Sequence, residues 1–241
     1  MEQTHPDIFG TAMLDYLAGK TDGKITTCSS LDEEDEIPVP YLFRNYGQMP
    51  KLEQKALNQC HGHILDIGCG AGSHSLYLQE QGHEVTALDS SAGAIESCRQ
   101  RGIERTEHRK VLEYEKNTFD TLLLLMNGIG IVGTLEKLPV YLDHFRKLLR
   151  PHGQILLDSS NIIYMFEQDD DGGYWIPGSP AYYGEVEFQM TYNDESGPWF
   201  PWLYVDFDTL AEACQKVDLH CELVSEGEHY DYLARLTEKP Y

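Results

Sequence analysis

The sequence predicts an α/β fold, a doubly wound and mostly parallel sheet, from three observations. Between residues 63 and 160, short apolar runs alternate with amphipathic segments. The first of these runs ends in glycines, Gly68, Gly70 and Gly72, and the second ends in an acid, Asp89. The run Thr121 to Met126 is apolar without alternation, as a strand buried on both faces requires. Right-handed crossovers between such strands leave few other topologies.

Taken in order, Ile8 to Leu17 reads as a helix, followed by a loop rich in turn formers. That loop holds Asp32-Glu33-Glu34-Asp35-Glu36, expected as a solvated loop, and then Pro38 and Pro40. Lys51 to Gln59 is expected as a helix because Pro50 precedes it. The first sheet strand is His63 to Ile67; a helix from Ala71 to Gln81 follows, closed by Gly82. Glu84 to Leu88 and Ala92 to Gln100 repeat the strand–helix unit. Ile103 to Glu107 is a charged strand, suited to an edge. Thr121 to Met126, a helix from Lys137 to Arg150 stopped by Pro151 and Gly153, and the strand Ile155 to Leu157 complete the alternation. The last 35 residues supply a helix (Thr209 to Lys216) and two strands (His220 to Val224, Tyr232 to Leu236). The short link Ser225-Glu226-Gly227-Glu228 makes these two strands a hairpin, so the final strand runs antiparallel.

Composition narrows the function. The 241 residues include 40 Asp+Glu against 18 Lys+Arg, a formal net charge of -22. A nucleic-acid backbone as partner calls for a basic footprint, and an anionic membrane surface is disfavoured for the same reason. A neutral or cationic small molecule is expected instead. The longest apolar run, Leu122 to Met126, is far short of the roughly 20 residues a membrane helix requires. The first residues, MEQTHPDIFG, lack a basic start followed by an apolar stretch, so no signal peptide is expected. The 6 cysteines are scattered without a Cys-x-x-Cys pair, so neither a disulfide framework nor a zinc site is expected. His61 and His63 flank a glycine with no further ligand nearby. Asp169-Asp170-Asp171-Gly172-Gly173 lacks the spacing and closing Glu of a calcium loop. The expected setting is the reducing cytoplasm.

The chemistry starts at Leu65-Asp66-Ile67-Gly68-Cys69-Gly70-Ala71-Gly72. Glycines there let the chain turn off the strand and let a ligand approach the backbone. With an acid before the loop and Asp89 after it, roughly 0.004 chance matches are expected in a chain of this length. Two carboxylate oxygens at the end of the second strand can accept hydrogen bonds from both hydroxyls of a ribose. A dinucleotide fingerprint needs its third glycine where Ser73 stands. That leaves a nicotinamide-dependent oxidoreductase as an alternative reading.

These residues resemble the class I S-adenosylmethionine-dependent methyltransferases. The resemblance runs from Leu65–Gly72 through Asp89 and Phe119-Asp120-Thr121-Leu122. It continues over Phe145-Arg146-Lys147-Leu148-Leu149-Arg150-Pro151-His152-Gly153-Gln154-Ile155-Leu156-Leu157. It implies a seven-stranded sheet of order 3-2-1-4-5-7-6 with the last strand antiparallel, a Rossmann-like arrangement. It also implies S-adenosyl-L-methionine as cofactor, S-adenosyl-L-homocysteine as product, and methyl transfer to a small-molecule acceptor by in-line displacement. A binding protein for the same cofactor without turnover is the alternative from another class, distinguished by the lack of a second, substrate-sized pocket.

On this resemblance Gly68, Cys69, Gly70, Ala71 and Gly72 lie along the methionine moiety, with Asp66 anchoring the turn or the ammonium group. Asp89 and Ser90 serve the ribose. Where the family often places an Asp for adenine, this chain has Arg109-Lys110-Val111. Cations accept no hydrogen bond, so adenine falls to backbone or apolar contacts of Lys110 and Val111. Met126, Asn127 and Gly128 end the fourth strand where the methyl group should sit. They keep only the Asn of the Asn-Pro-Pro-aromatic tetrapeptide found in some amino-group methyltransferases. Arg44 is a candidate clamp for the cofactor's carboxylate, its alternative being a surface arginine paired among acids.

Residues 164 to 204 hold 12 of the 26 aromatics, including all three Trp. This stretch follows the fifth strand, at the sheet end where open α/β folds bind ligands, and Glu185 to Tyr192 alternates as a β-pair would. Such a stretch is either a satellite core or a substrate wall. Tyr41, Tyr46, Asn161, Tyr164, Trp199 and Trp202 are the candidate substrate contacts. His74, early in the helix after the glycines, is either a base or a helix-surface residue, and no catalytic residue is assigned. The chain is expected to be one domain. It comprises an N-terminal helical cap segment (1–58), a cofactor-binding core (59–160), an aromatic insertion (161–205), and a C-terminal helix and strand hairpin (206–241).

Overall fold

A computed structural model describes residues 5–116, 119–169, 172–176 and 182–239. Asp170 and Asp171 of the acidic run therefore lie outside the described residues. In chain order the helices are α1 (Ile8–Leu17), α2 (Lys51–Leu57), α3 (Ser73–Glu80), α4 (Ala92–Gln100), α5 (Leu138–Leu148) and α6 (Phe207–Gln215). The strands before the insertion are β1 (Lys24–Ser29), β2 (Glu34–Pro38), β3 (His63–Ile67), β4 (Glu84–Asp89), β5 (Thr106–His108), β6 (Phe119–Leu124) and β7 (Leu149–Ser160). After them come β8 (Glu167–Gln168), β9 (Tyr174–Trp175), β10 (Glu185–Tyr192), β11 (Glu195–Ser196), β12 (Phe200–Leu203), β13 (Leu219–Glu226) and β14 (Asp231–Glu238).

The main sheet has the order β13-β14-β7-β6-β3-β4-β5. Pairing is parallel from β7 to β5 and antiparallel on both sides of β14. This is the seven-stranded order expected. The charged strand is shorter and later than expected, at Thr106–His108, and occupies the edge, paired only with β4. β7 is longer than its apolar stretch because β6 and β14 pair along its two sides.

Side-chain alternation sends each strand's apolar residues to two cores. Leu65, Leu122, Ile155 and Leu157 face α5 and α6. Ile64, Val85, Leu123 and Leu156 face the side of α2 and α3. The sheet is thus covered on both faces, which is why β6 reads as a continuous apolar run.

The expected N-terminal helical cap has a strand hairpin as well. β1 and β2 pair with each other, β1 pairs with β10, and β10 carries β11 and β12, forming a second, antiparallel sheet. The acidic run is a correction: Glu34, Asp35 and Glu36 lie in the edge strand β2, although their side chains remain exposed as a solvated loop's would be. Charged, exposed side chains suit an unpaired edge.

α1 fastens this roof to the main domain. The Asp7 carboxylate caps α1 by accepting from Gly10 N (3.0 Å), and also accepts from Gly93 N (2.9 Å) and Ser91 Oγ (2.8 Å). The helices cross at Gly10 and Gly93, where a Cβ on Gly93 would stand 2.5 Å from Gly10 Cα. Gly93→Ala should therefore pry α1 from α4 and destabilise the protein by about 1–3 kcal/mol, the usual range for overpacking. Urea melts should show a lowered midpoint, with wild-type stability contradicting the contact.

Candidate active site

The carboxyl ends of β3, β4, β6 and β7 and the second sheet enclose a cavity of about 1350 Å³. Strand pairing fixes which side chains of the second sheet form its roof. Thr27 stands beside Met190 and Ser29 beside Phe188. Phe188 also stands beside Phe200, and Val186 beside Trp202. All of these line the cavity, with Phe9 and Met13 of α1. Aromatic and aliphatic groups thus occupy the β10–β12 half, and hydroxyls the β1 strand.

The floor begins at the glycine loop. Gly68 and Gly70 have φ of +72° and +53°, and nothing lies within 4 Å of where a Cβ would be. Their freedom serves both the turn and an open approach from above. Gly72 differs, because a Cβ there would strike Ile103 and Cys98. Its requirement is packing beneath α3, and it does not line the cavity. Cys69 lines the cavity, while its thiol lies 3.7 Å from Cys98 Sγ; this neighbour and burial push the thiol up. Ala71 also lines the cavity, and its carbonyl accepts from Arg101 Nη1 (2.5 Å).

Asp89 ties two strand ends together. Its Oδ2 accepts from Gly70 N (3.0 Å) and its Oδ1 from Ser91 N (2.8 Å). Each oxygen keeps a lone pair. Burial, with the charges of Asp7 and Asp66, raises its pKa against the two amide donors. Ser90, Arg109, Lys110 and Val111 continue the lining, and Arg109 N donates to Asp89 O (2.9 Å).

Asp66 sits behind the glycine loop. It is 2% exposed, lies under α3 outside the cavity lining, and accepts from Ser75 Oγ (2.6 Å). Burial raises its pKa. The Ser75 bond ties the end of β3 to α3.

Past β6, Met126 and Asn127 both have left-handed φ, +64° and +54°. For residues with side chains this costs of order 1–3 kcal/mol each. Asp158, at the end of β7, accepts from Met126 N (3.1 Å) and Gly128 N (3.4 Å). Met126 and Gly128 line the cavity. Asn127 does not: its Nδ2 donates to Leu203 O (3.2 Å), and its buried Oδ1 has no partner among the described residues.

Arg44 lines the cavity but is neither the free clamp nor the surface arginine expected. At 5% exposure, its Nη2 lies 2.6 Å from both Glu53 oxygens. Glu53 Oε2 also meets His74 Nε2 at 2.7 Å. Burial alone would push Glu53 up; the hydrogen bond and charge of His74, with the charge of Arg44, hold it below its usual range. Arg44 Nε has no partner among the described residues. His74 is buried and lines the cavity, so it is not the helix-surface residue considered above.

Of the expected substrate contacts, Tyr164 and Trp202 line the cavity. Trp202 packs on Gly130, where a Cβ would stand 2.1 Å from Nε1. Four others lie outside it. Tyr46 stacks on Tyr77 with ring centroids 4.2 Å apart. Tyr41 is exposed and packs its ring on Arg44. Asn161 Oδ1 accepts from Ile163 N and Tyr183 Oη. Trp199 is 48% exposed. Sequence reasoning missed Glu53 and Asp158, although each is an acid inside an apolar pattern: Leu52, Ala56 and Leu57 around Glu53, and Ile155 to Leu157 before Asp158.

The geometry fits a nucleoside cofactor: open space over two glycines, two acceptor oxygens on Asp89, and the Arg44 guanidinium at the cavity wall. Among the described residues, no group of three His, Cys, Asp or Glu could hold a metal ion. No helix there is long and apolar enough to cross a membrane.

Burial, followed by the charge of Glu53, pushes Asp158 up to about 7 from 3.8. Between those limits the folded protein binds more protons than the unfolded chain. Stability therefore falls as pH rises through the window and levels off above about 7. Asp158→Asn should gain about 2–4 kcal/mol relative to wild type at pH 8, less the cost of a lost acceptor, and gain nothing at pH 4. Denaturant melts at the two pH values check this; equal effects at both would contradict a strained charge.

Residues 64–153 match the family model described as a methyltransferase domain. An S-adenosylmethionine-dependent methyltransferase from Bacteroides fragilis, solved with S-adenosyl-L-homocysteine, is 44% identical over 96% of this chain and 94% of its own, with a TM-score of 0.89. YqeM of Bacillus subtilis, named as a methyltransferase without a stated acceptor, is 24% identical over 184 residues, 69% of this chain and 72% of its own. The malonyl-[acyl-carrier protein] O-methyltransferase of Serratia marcescens is 31% identical over 97 residues, 40% of this chain and 37% of its own. Neither the nicotinamide reading nor cofactor binding without turnover finds support in these likenesses. The chain belongs to the S-adenosylmethionine-dependent methyltransferases, as an enzyme with that cofactor.

Proposed function

We propose that this methyltransferase acts on a small molecule held between the glycine loop and the roof formed by β1, β10 and β12. The observation that carries the reading is the cavity: about 1350 Å³ with two unlike walls. Single-ligand pockets usually measure roughly 300–1,000 Å³, so there is room for a cofactor and a second molecule. Gly68, Gly70 and the backbone of Cys69 and Ala71 would lie along the methionine moiety, with the Arg44 guanidinium on the side of its carboxylate. Asp89 and Ser90 would take the ribose, and Lys110 and Val111 the adenine. Phe188, Phe200 and Trp202 would flank the acceptor. When bound, S-adenosylmethionine supplies an electrophilic methyl group. The chain's residues orient the two molecules and keep water out, which is most of what an in-line displacement needs.

The net charge of -22 favours a small-molecule acceptor over nucleic acid, and the cytoplasm is the proposed location. In this reading residues 59–160 are the cofactor-binding core. The segments 1–58 and 161–205 build the acceptor side, and 206–241 complete the sheet.

Calorimetric titration with S-adenosylmethionine, S-adenosylhomocysteine and NADH tests the site. Both sulfur ligands should bind wild type, and NADH should not. Asp89→Ala should weaken both at least ten-fold, since it removes charged acceptors of two hydrogen bonds. Unchanged affinity in that variant would rule out the assignment of Asp89.

A further inference from the structure

The roof of the cavity is graded across its strands. β12, β10, β1 and β2 lie side by side in that order, and side chains directly opposite one another share a face. On the cavity face one row runs from Phe200 through Phe188 to Ser29. Glu33 extends it: Ser29 N donates to Glu33 O (2.9 Å) and Glu33 N to Ser29 Oγ (3.3 Å). The next row runs from Met190 through Thr27 to Asp35. Each row passes from an apolar group through a hydroxyl to a carboxylate, over two strand steps of about 5 Å each.

The acids at β2 are divided by face. Glu36 is turned outward, where Lys24 holds it at 2.6 Å. Glu34 borders the cavity, but its carboxylate lies 3.8 Å from Cys28 Sγ, on the other side of the alternation. Glu33 and Asp35 fall on the cavity side and are exposed at its mouth. Neither is in an ion pair among the described residues. Asp35 Oδ1 accepts from Glu36 N (2.7 Å), and the Glu33 carboxylate has no hydrogen-bond partner there. The hydroxyls between them and the aromatic wall are used within the roof itself. Thr27 Oγ1 donates to Asp35 O, and Ser29 Oγ accepts from Leu31 N and Glu33 N.

The cations that line the cavity stand elsewhere. Arg44 and His74 are bound to Glu53, and Arg109 and Lys110 follow β5 beside Asp89. An anion entering beneath the roof would therefore meet like charge without a counter-ion. A ring with an ammonium group would satisfy both ends of the rows. Aromatic faces attract a ring and tolerate a nearby cation, and free carboxylates accept from an ammonium group.

We propose that the methyl acceptor is a flat aromatic molecule bearing a protonated amine, its ring beneath Phe188, Phe200 and Trp202 and its ammonium group beside Glu33 and Asp35. The proposal rests on reading the cavity as the S-adenosylmethionine site. Glu33 and Asp35 are then specificity residues, which reject a carboxylate or phosphate of the same shape as much as they attract the amine. They act on the acceptor alone, because the cofactor lies on the floor, along the glycine loop.

The test uses the enzyme saturated with S-adenosylhomocysteine and two probes of one shape and opposite charge, 4-phenylbutylamine and 4-phenylbutyrate, titrated by calorimetry at pH 7. The amine should bind about ten-fold more tightly than the acid or better, and added salt should narrow the gap. The double variant Glu33→Gln, Asp35→Asn should bring the two probes within about two-fold of each other, with S-adenosylhomocysteine binding as in wild type. Binding of the acid as tightly as the amine, or of neither probe, overturns the proposal. So does a double variant that keeps the wild-type preference. If that variant does not fold, the two probes on wild type decide alone. Failure of S-adenosylhomocysteine itself to bind overturns the reading of the cavity, a result distinct from failure of the probes on the loaded enzyme.

Discussion

The hydrogen bond from Gly70 N to Asp89 joins the ends of two neighbouring parallel strands, and the site is arranged around it. It needs the loop after β3 to fold back over β4, and only left-handed residues at Gly68 and Gly70 allow that. The same bond aims the remaining lone pairs of Asp89 toward the cavity. It also makes Gly68 N and Cys69 N converge on Leu88 O, at 2.8 and 3.2 Å. These three backbone N–H bonds fix the turn from within the chain, and a turn held that way lowers the ordering cost of binding.

A second constraint is charge kept where it is expensive. Glu53, Asp158 and Asp66 gather with Arg44 and His74 near the carboxyl edge of the sheet. Apolar residues of similar volume would often serve stability as well or better. Their position beside the glycine loop and the strained 126–128 turn gives the cost a purpose. They hold backbone and guanidinium groups in place in a site whose ligand is itself charged. Buried ionisable groups shifted from their usual range gather at functional sites for this reason.

Much of the main sheet was legible because local patterns decide it. Helices α1 and α4 and strand β3 follow their apolar spacing to the residue, and Asp89 was marked by its place after a strand. The glycines at 68 and 70 were legible as a turn with open space above it, but Gly72 was not separable from them, since the contact that requires it comes from Ile103 and Cys98. The roof was hidden for the same kind of reason. β1 pairs with β10 from the far part of the chain, and no local signal says that Thr27 will stand beside Met190. The burial of Arg44 was not legible because its partner, Glu53, sits in a helix whose other inward residues are apolar. Tyr46, Tyr41 and Trp199 show that aromatic content alone does not distinguish a cavity wall from a surface stack.

In the proposed site one ligand bridges the glycine loop and the turn after β6, beneath the roof of the second sheet. Hydrogen–deuterium exchange with and without S-adenosylhomocysteine tests this directly. The ligand should slow exchange in two separate regions, segments 68–72 and 89–91 together and segment 126–130, while the outer strand β13 is unchanged. Protection confined to one of those segments, or appearing instead on the far face of the sheet, would contradict it.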